Sequence, residues 1–143
     1  MLKYTAILLV FLLLLNCRES NSDEKKYQWK TKEVTASAFN SLAYQTNSNP
    51  SITAFGDSLK PGMKCIAVSR NLLSEGLGHN TQLTIEGLKG IYLVKDKMNR
   101  RFTDKIDIYM GTDVQAARNW GVKKVSIQYR VELTEDETAN QSP

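Results

Sequence analysis

One stretch constrains this chain more than any other: Asp96 to Gly121, D-K-M-N-R-R-F-T-D-K-I-D-I-Y-M-G-T-D-V-Q-A-A-R-N-W-G. It holds two carboxylates eleven residues apart, each at a β-like run. Ile91–Val94 leads into Asp96, and Ile106–Met110 alternates in character about Asp107. A short helix with clear ends follows. Thr112 is placed to be its N-cap, with Gln115 completing a capping box, Asp113 suits the positive end, and Gly121 is a natural stop. Beyond it Val125, Ile127, Tyr129 and Val131 alternate with Ser126, Gln128 and Arg130, as in a half-buried strand. The local plan is strand, loop, strand, helix, strand, with carboxylates at the strand ends.

The whole chain has 143 residues, enough for one compact domain and too few for two with proper cores. Its formal charge of +4 is spread along the sequence. No stripe interleaves cations with aromatics, so a nucleic-acid partner is not expected. The N-terminus sets the compartment. Lys3 precedes ten unbroken apolar residues, Ala6 to Leu15. That is short of the roughly 20 residues a spanning helix needs, and it fits the apolar region of an export signal. Leu14-Leu15-Asn16-Cys17 resembles a bacterial lipobox, although Asn16 stands where a small residue is usual. The expectation is a signal peptide over 1–17, lipidation at Cys17 and an outer-membrane lipoprotein, since several acyl chains anchor stably where one does not.

Residues 18–32 are polar and charged and read as a tether, and 132–143 read as a disordered acidic tail. Between them, over 33–131, short strands dominate. Val34–Phe39 reads as the first strand, Ser51–Gly56 is the next ordered segment, and Pro61-Gly62 marks a turn before the strand at Cys65. Thr81–Ile85 and Ile91–Val94 flank Glu86-Gly87-Leu88-Lys89-Gly90, a good hairpin connection. About six short strands and one short helix predict a mainly β, small closed barrel. If Cys17 carries lipid, Cys65 has no cysteine partner, and its plain reading is a small buried hydrophobe. The sole histidine, His79, belongs to no spaced set of His and Cys residues, so no metal and no cofactor are expected.

Seven segments in order carry a family resemblance: T-A-S-A-F (35–39), S-I-T-A-F-G (51–56), K-C-I-A-V-S (64–69), L-G-H-N-T-Q-L-T-I (77–85), G-I-Y-L-V-K-D (90–96), K-I-D-I-Y (105–109) and A-A-R-N-W-G-V-K-K-V-S-I (116–127). Together they resemble the three-aspartate, or 3D, domain. That resemblance implies a six-stranded double-psi β-barrel over 33–131, the fold of MltA-type lytic transglycosylases and rare lipoprotein A. It implies Asp107 as the catalytic acid/base and Asp96 as a second catalytic carboxylate. The third family aspartate falls on Ser69, and Lys97-Met98-Asn99 replaces the usual Thr-Gly-Gly. The implied partner is the glycan strand of peptidoglycan, with the membrane reached through the lipid anchor and the protein expected to be a monomer.

The chemistry stands on its own terms. Cleaving a glycosidic bond requires a proton delivered to the leaving oxygen. A lytic transglycosylase needs one carboxyl group for this, because the muramic acid 6-hydroxyl attacks internally and no water is activated. Asp107 would serve with a pKa raised by burial or by Asp96. Two readings stand beside catalysis. The barrel is a glycan-binding module, or its role is structural, with strand-end aspartates accepting backbone N–H groups in tight crossovers. Tyr109 and Trp120 read as core aromatics.

Overall fold

The computed structural model describes residues 25–42 and 51–133. The expected signal segment, Cys17 and the tail beyond Leu133 lie outside them. Six strands form a closed barrel: β1 (Tyr27–Phe39), β2 (Cys65–Val68), β3 (Gln82–Ile85), β4 (Tyr92–Lys97), β5 (Lys105–Tyr109) and β6 (Lys123–Glu132). The order around the barrel is β1-β5-β2-β4-β3-β6. β1–β5 and β2–β4 are parallel, while the other four pairs are antiparallel. The expected fold class, a mainly β six-stranded double-psi barrel, is the one observed.

Alternation decides the inside of the barrel. Val34 and Ala36 on β1, Ile66 and Val68 on β2, Val94 on β4, Ile106 and Ile108 on β5, and Val125 and Ile127 on β6 all point inward and are buried. Burying each of the valine and isoleucine side chains is worth about 1.5–3 kcal/mol. The residues between them face outward. One outward patch is covered as well: Leu59, Cys65 and Tyr109 form a second cluster with Phe39 and Met63.

Two helices occur where one was expected. α1 (Arg70–Ser74) is a single turn with only Leu72 buried, too short to show a helical period in the sequence. α2 (Val114–Trp120) lies where the sequence puts it, with Val114, Ala117 and Trp120 half-buried. Its N-cap is Asp113 rather than Thr112: the Asp113 side chain accepts from the Ala116 amide at 2.9 Å. Gln115 bonds Asn119 instead of closing a capping box. Gly121 ends the helix at φ +68°, ψ −143°.

The boundaries also differ. β1 begins at Tyr27, inside the stretch read as a tether, because Tyr27–Lys32 pairs antiparallel with Ile127–Glu132. A backbone ladder needs no apolar side chains, so the polar composition of that stretch conceals it. At the other end Leu133 N still donates to Lys26 O at 2.9 Å. Ser51–Gly56 forms a loop. It is closed by a lone bridge between Ile52 and Ser58, with Gly56 at φ +88°.

Candidate functional site

Asp107 is the middle residue of β5, between the inward Ile106 and Ile108, so its side chain faces out. Its register partner on β1 is Ser37 and on β2 is Ala67. Ala67 is in turn the register partner of Asp96 on β4. Ser37, Asp107, Ala67 and Asp96 therefore form one outward-facing row across four adjacent strands. The two carboxylates flank an alanine, about 9–10 Å apart at the backbone, which is two inter-strand steps. The small Ala67 side chain leaves space between them.

A β-bulge puts Asp96 into this row. The β2–β4 pairing runs Cys65–Leu93 and Ile66–Val94, then skips to Ala67–Asp96, leaving Lys95 as the extra residue. In a regular ladder Asp96 would share the inward face of Val94, two residues before it. The bulge reverses that phase and aims the carboxylate outward. Lys95, the displaced residue, pairs with Asp57 at 2.8 Å.

The row opens into a cleft of about 230 Å³ lined by Asp107, Asp96, Lys97, Met98, Phe39 and Phe102, among others. A larger depression, about 420 Å³, lies beside Tyr27, His79, Gln82 and Arg130, and neither carboxylate lines it. Both carboxylates of the row line the smaller one.

The two carboxylates have different surroundings. Burial pushes the Asp107 carboxyl above its ordinary value. A hydrogen bond from Ser37 Oγ to Asp107 Oδ1 at 2.8 Å and the charge of Lys105 oppose that shift, and Asp96 adds a smaller upward push. Asp96 Oδ1 instead accepts two backbone amides, those of Ala54 and Lys97, both at 2.8 Å. It fastens the 51–58 loop to the end of β4.

Ser69, where the 3D-domain resemblance places a third aspartate, is fully buried and does not line the cleft. Its hydroxyl donates to Asn71 Oδ1 at 2.8 Å and accepts from the Lys105 amide at 3.0 Å. Asn71 continues to Asp104 at 2.8 Å, and Asp104 pairs with Lys32 at 2.9 Å. The hydrogen bonds from Lys32 and then Asn71 hold the Asp104 carboxyl below its ordinary value. This is a structural network at the start of α1.

Cys65 is buried in the second cluster, and burial pushes its thiol up to about 11. His79 makes no pair with it; His79 Nε2 meets Asp57 Oδ2 at 2.5 Å, and its ring stacks on Phe55. Among the described residues no group of three or more His, Cys, Asp or Glu side chains is placed to hold a metal ion. Tyr109 is buried, with its hydroxyl 2.7 Å from Ser41 Oγ, and Trp120 packs against the main core. Ser37 is the site residue that sequence reasoning missed. The Thr35/Ser37/Phe39 alternation marks its face, but nothing local marks its partner.

No protein-family model matches the chain, and no curated protein matches it. Among solved structures it is similar to apo expansin of Clavibacter michiganensis, with a TM-score of 0.43 and 20% identity over 74% of this chain and 52% of that one. It is likewise similar to a point mutant of the same expansin in complex with cellohexaose, with a TM-score of 0.43 and 19% identity over 74% and 52%. The chain thus spans about half the length of the expansin chains it matches.

Proposed function

We propose that this chain is an exported cell-envelope lipoprotein, held to the outer membrane through Cys17, whose barrel cleaves the glycan strands of peptidoglycan with Asp107 as general acid and base. The observation that carries this reading is the Asp107 carboxyl: half-buried, raised by that burial, and set in the wall of an open cleft. A raised carboxyl retains its proton nearer to neutral pH, which a proton donor requires. The resemblance to the 3D domain supports the same residue.

In this mechanism neutral Asp107 gives its proton to the glycosidic oxygen as the C1–O bond breaks. The resulting carboxylate takes a proton from the muramic acid 6-hydroxyl while that oxygen bonds to C1. The product is a 1,6-anhydro end, and no water is consumed. Ser37 donates to Oδ1, so Oδ2 is the oxygen left to carry the proton. Asp96 contributes a nearby negative charge and the shape of the cleft.

A second reading, a non-catalytic peptidoglycan-binding or envelope-structural module, is favoured by the commitment of Asp96 Oδ1 to two backbone amides. One experiment separates the two. Purified protein is incubated with peptidoglycan and the soluble products are weighed by mass spectrometry. Anhydro-ended fragments that vanish with Asp107→Asn support cleavage; retention on peptidoglycan with no release across pH supports binding alone.

A further inference from the structure

One cation lines the Asp107 cleft and two more pack on an aromatic ring of its wall, an arrangement that the proton-transfer chemistry does not require. Lys97 lines the cleft beside Asp96, and its Nζ lies 5.2 Å from the centre of the Phe55 ring. Phe102 also lines the cleft, with Lys105 Nζ 4.7 Å and Arg101 Cζ 4.8 Å from its ring centre. Lys105 precedes Asp107 by two residues on the same outward face of β5. Four other lysines pair with carboxylates: Lys25 with Glu132, Lys32 with Glu75 and Asp104, Lys95 with Asp57, and Lys124 with Glu33. Among the described residues Lys97, Lys105 and Arg101 form no such pair. An aromatic face positions a cation without neutralising it and leaves its N–H donors for another acceptor.

We propose that this cleft selects glycan strands that carry carboxylates, and that Lys97, Lys105 and Arg101 are the groups that bind them. The inference rests on the glycan reading of the cleft and adds the charge its substrate must have. Lys105 acts against proton donation, because its charge lowers the Asp107 pKa. With a neutral polysaccharide in the cleft that opposition persists. A substrate carboxylate on Lys105 offsets it, so the three cations and a raised acid are compatible when the ligand is anionic. Charge-assisted hydrogen bonds to carboxylates supply the affinity.

The test uses the purified full chain and three probes: peptidoglycan strands with native carboxylates, the same strands with those carboxylates converted to amides, and neutral chitin oligosaccharides. Native strands are expected to bind at least about tenfold tighter than the amidated ones, the range of one charge-assisted contact. Raising the salt should erase the difference. Lys97→Gln/Lys105→Gln should bring native strands down to the amidated level, and Arg101→Gln should go part of the way. Lys97 lines the cleft and Lys105 and Arg101 sit over the Phe102 ring in its wall, so unchanged circular dichroism of these variants is expected alongside the loss. Equal binding of native and amidated strands, or variants that retain the wild-type preference, overturns the inference and leaves the glycan reading intact. Binding to none of the three probes overturns both.

Discussion

Ser37 and Asp107 face each other in register across the parallel β1–β5 pair, and the Ser37 hydroxyl donates to Asp107 Oδ1 at 2.8 Å. That bond favours the charged carboxylate, whereas burial favours the neutral acid. Ser37→Ala should therefore raise the Asp107 pKa further, visible in an NMR titration of its side-chain carboxyl carbon. The lost bond should cost about 1.5–3 kcal/mol at neutral pH, where the acceptor is charged, and less in acid. A titration unchanged by the substitution would mean that the hydroxyl does not act on the acid.

Asp107→Asn should stabilise the fold at neutral pH. A carboxyl whose folded pKa lies above its unfolded value binds more protons folded than unfolded within that window, so stability falls as pH rises through it. Asparagine removes that loss while still accepting from Ser37. The gain should be present at neutral pH and absent below the ordinary carboxylate range, as measured by melting temperature against pH. Under the proposed function the same variant loses about 10²–10⁴-fold in cleavage rate.

Asp96→Ala tests the other carboxylate. Its Oδ1 holds the amides of Ala54 and Lys97, so truncation breaks two hydrogen bonds to a carboxylate. A cost of about 1–3 kcal/mol is expected, with faster hydrogen exchange at those two amides. Asp96→Asn retains an acceptor and should cost less.

Ser69→Asp installs the residue type that the 3D-domain resemblance implies at this position, and it should harm this protein. The site is fully buried, and Ser69 Oγ donates to an acceptor, Asn71 Oδ1. A carboxylate there would meet that oxygen without a proton between them and would carry a buried charge. Destabilisation above about 2 kcal/mol is expected in chemical denaturation, with no gain in glycan cleavage.

Gly121→Ala isolates a backbone effect. Nothing lies within 4 Å of a Cβ built there, yet the residue holds φ +68°, ψ −143°, a region nearly reserved for glycine. Strain of about 1–3 kcal/mol should lower the denaturant midpoint without altering the cleft.

Local features of the sequence determined the inside and outside of each strand and the place of α2, because alternation and helix ends are properties of a few consecutive residues. They put Asp96 and Asp107 at strand positions and gave burial as the means of raising Asp107. α1 stayed hidden because its single buried leucine shows no period, and the start of β1 because a backbone ladder leaves no mark on composition. Only the tertiary structure decided which neighbours each strand received. Ser37 reaches Asp107 across seventy residues of chain. Asp96 joins the row only through the bulge at Lys95, and Ser69 leaves the site for a buried network. Register between strands so far apart is set by the mutual packing of inward residues such as Ile66, Val94, Ile106 and Ile108, and that non-local constraint has no signature in any one segment.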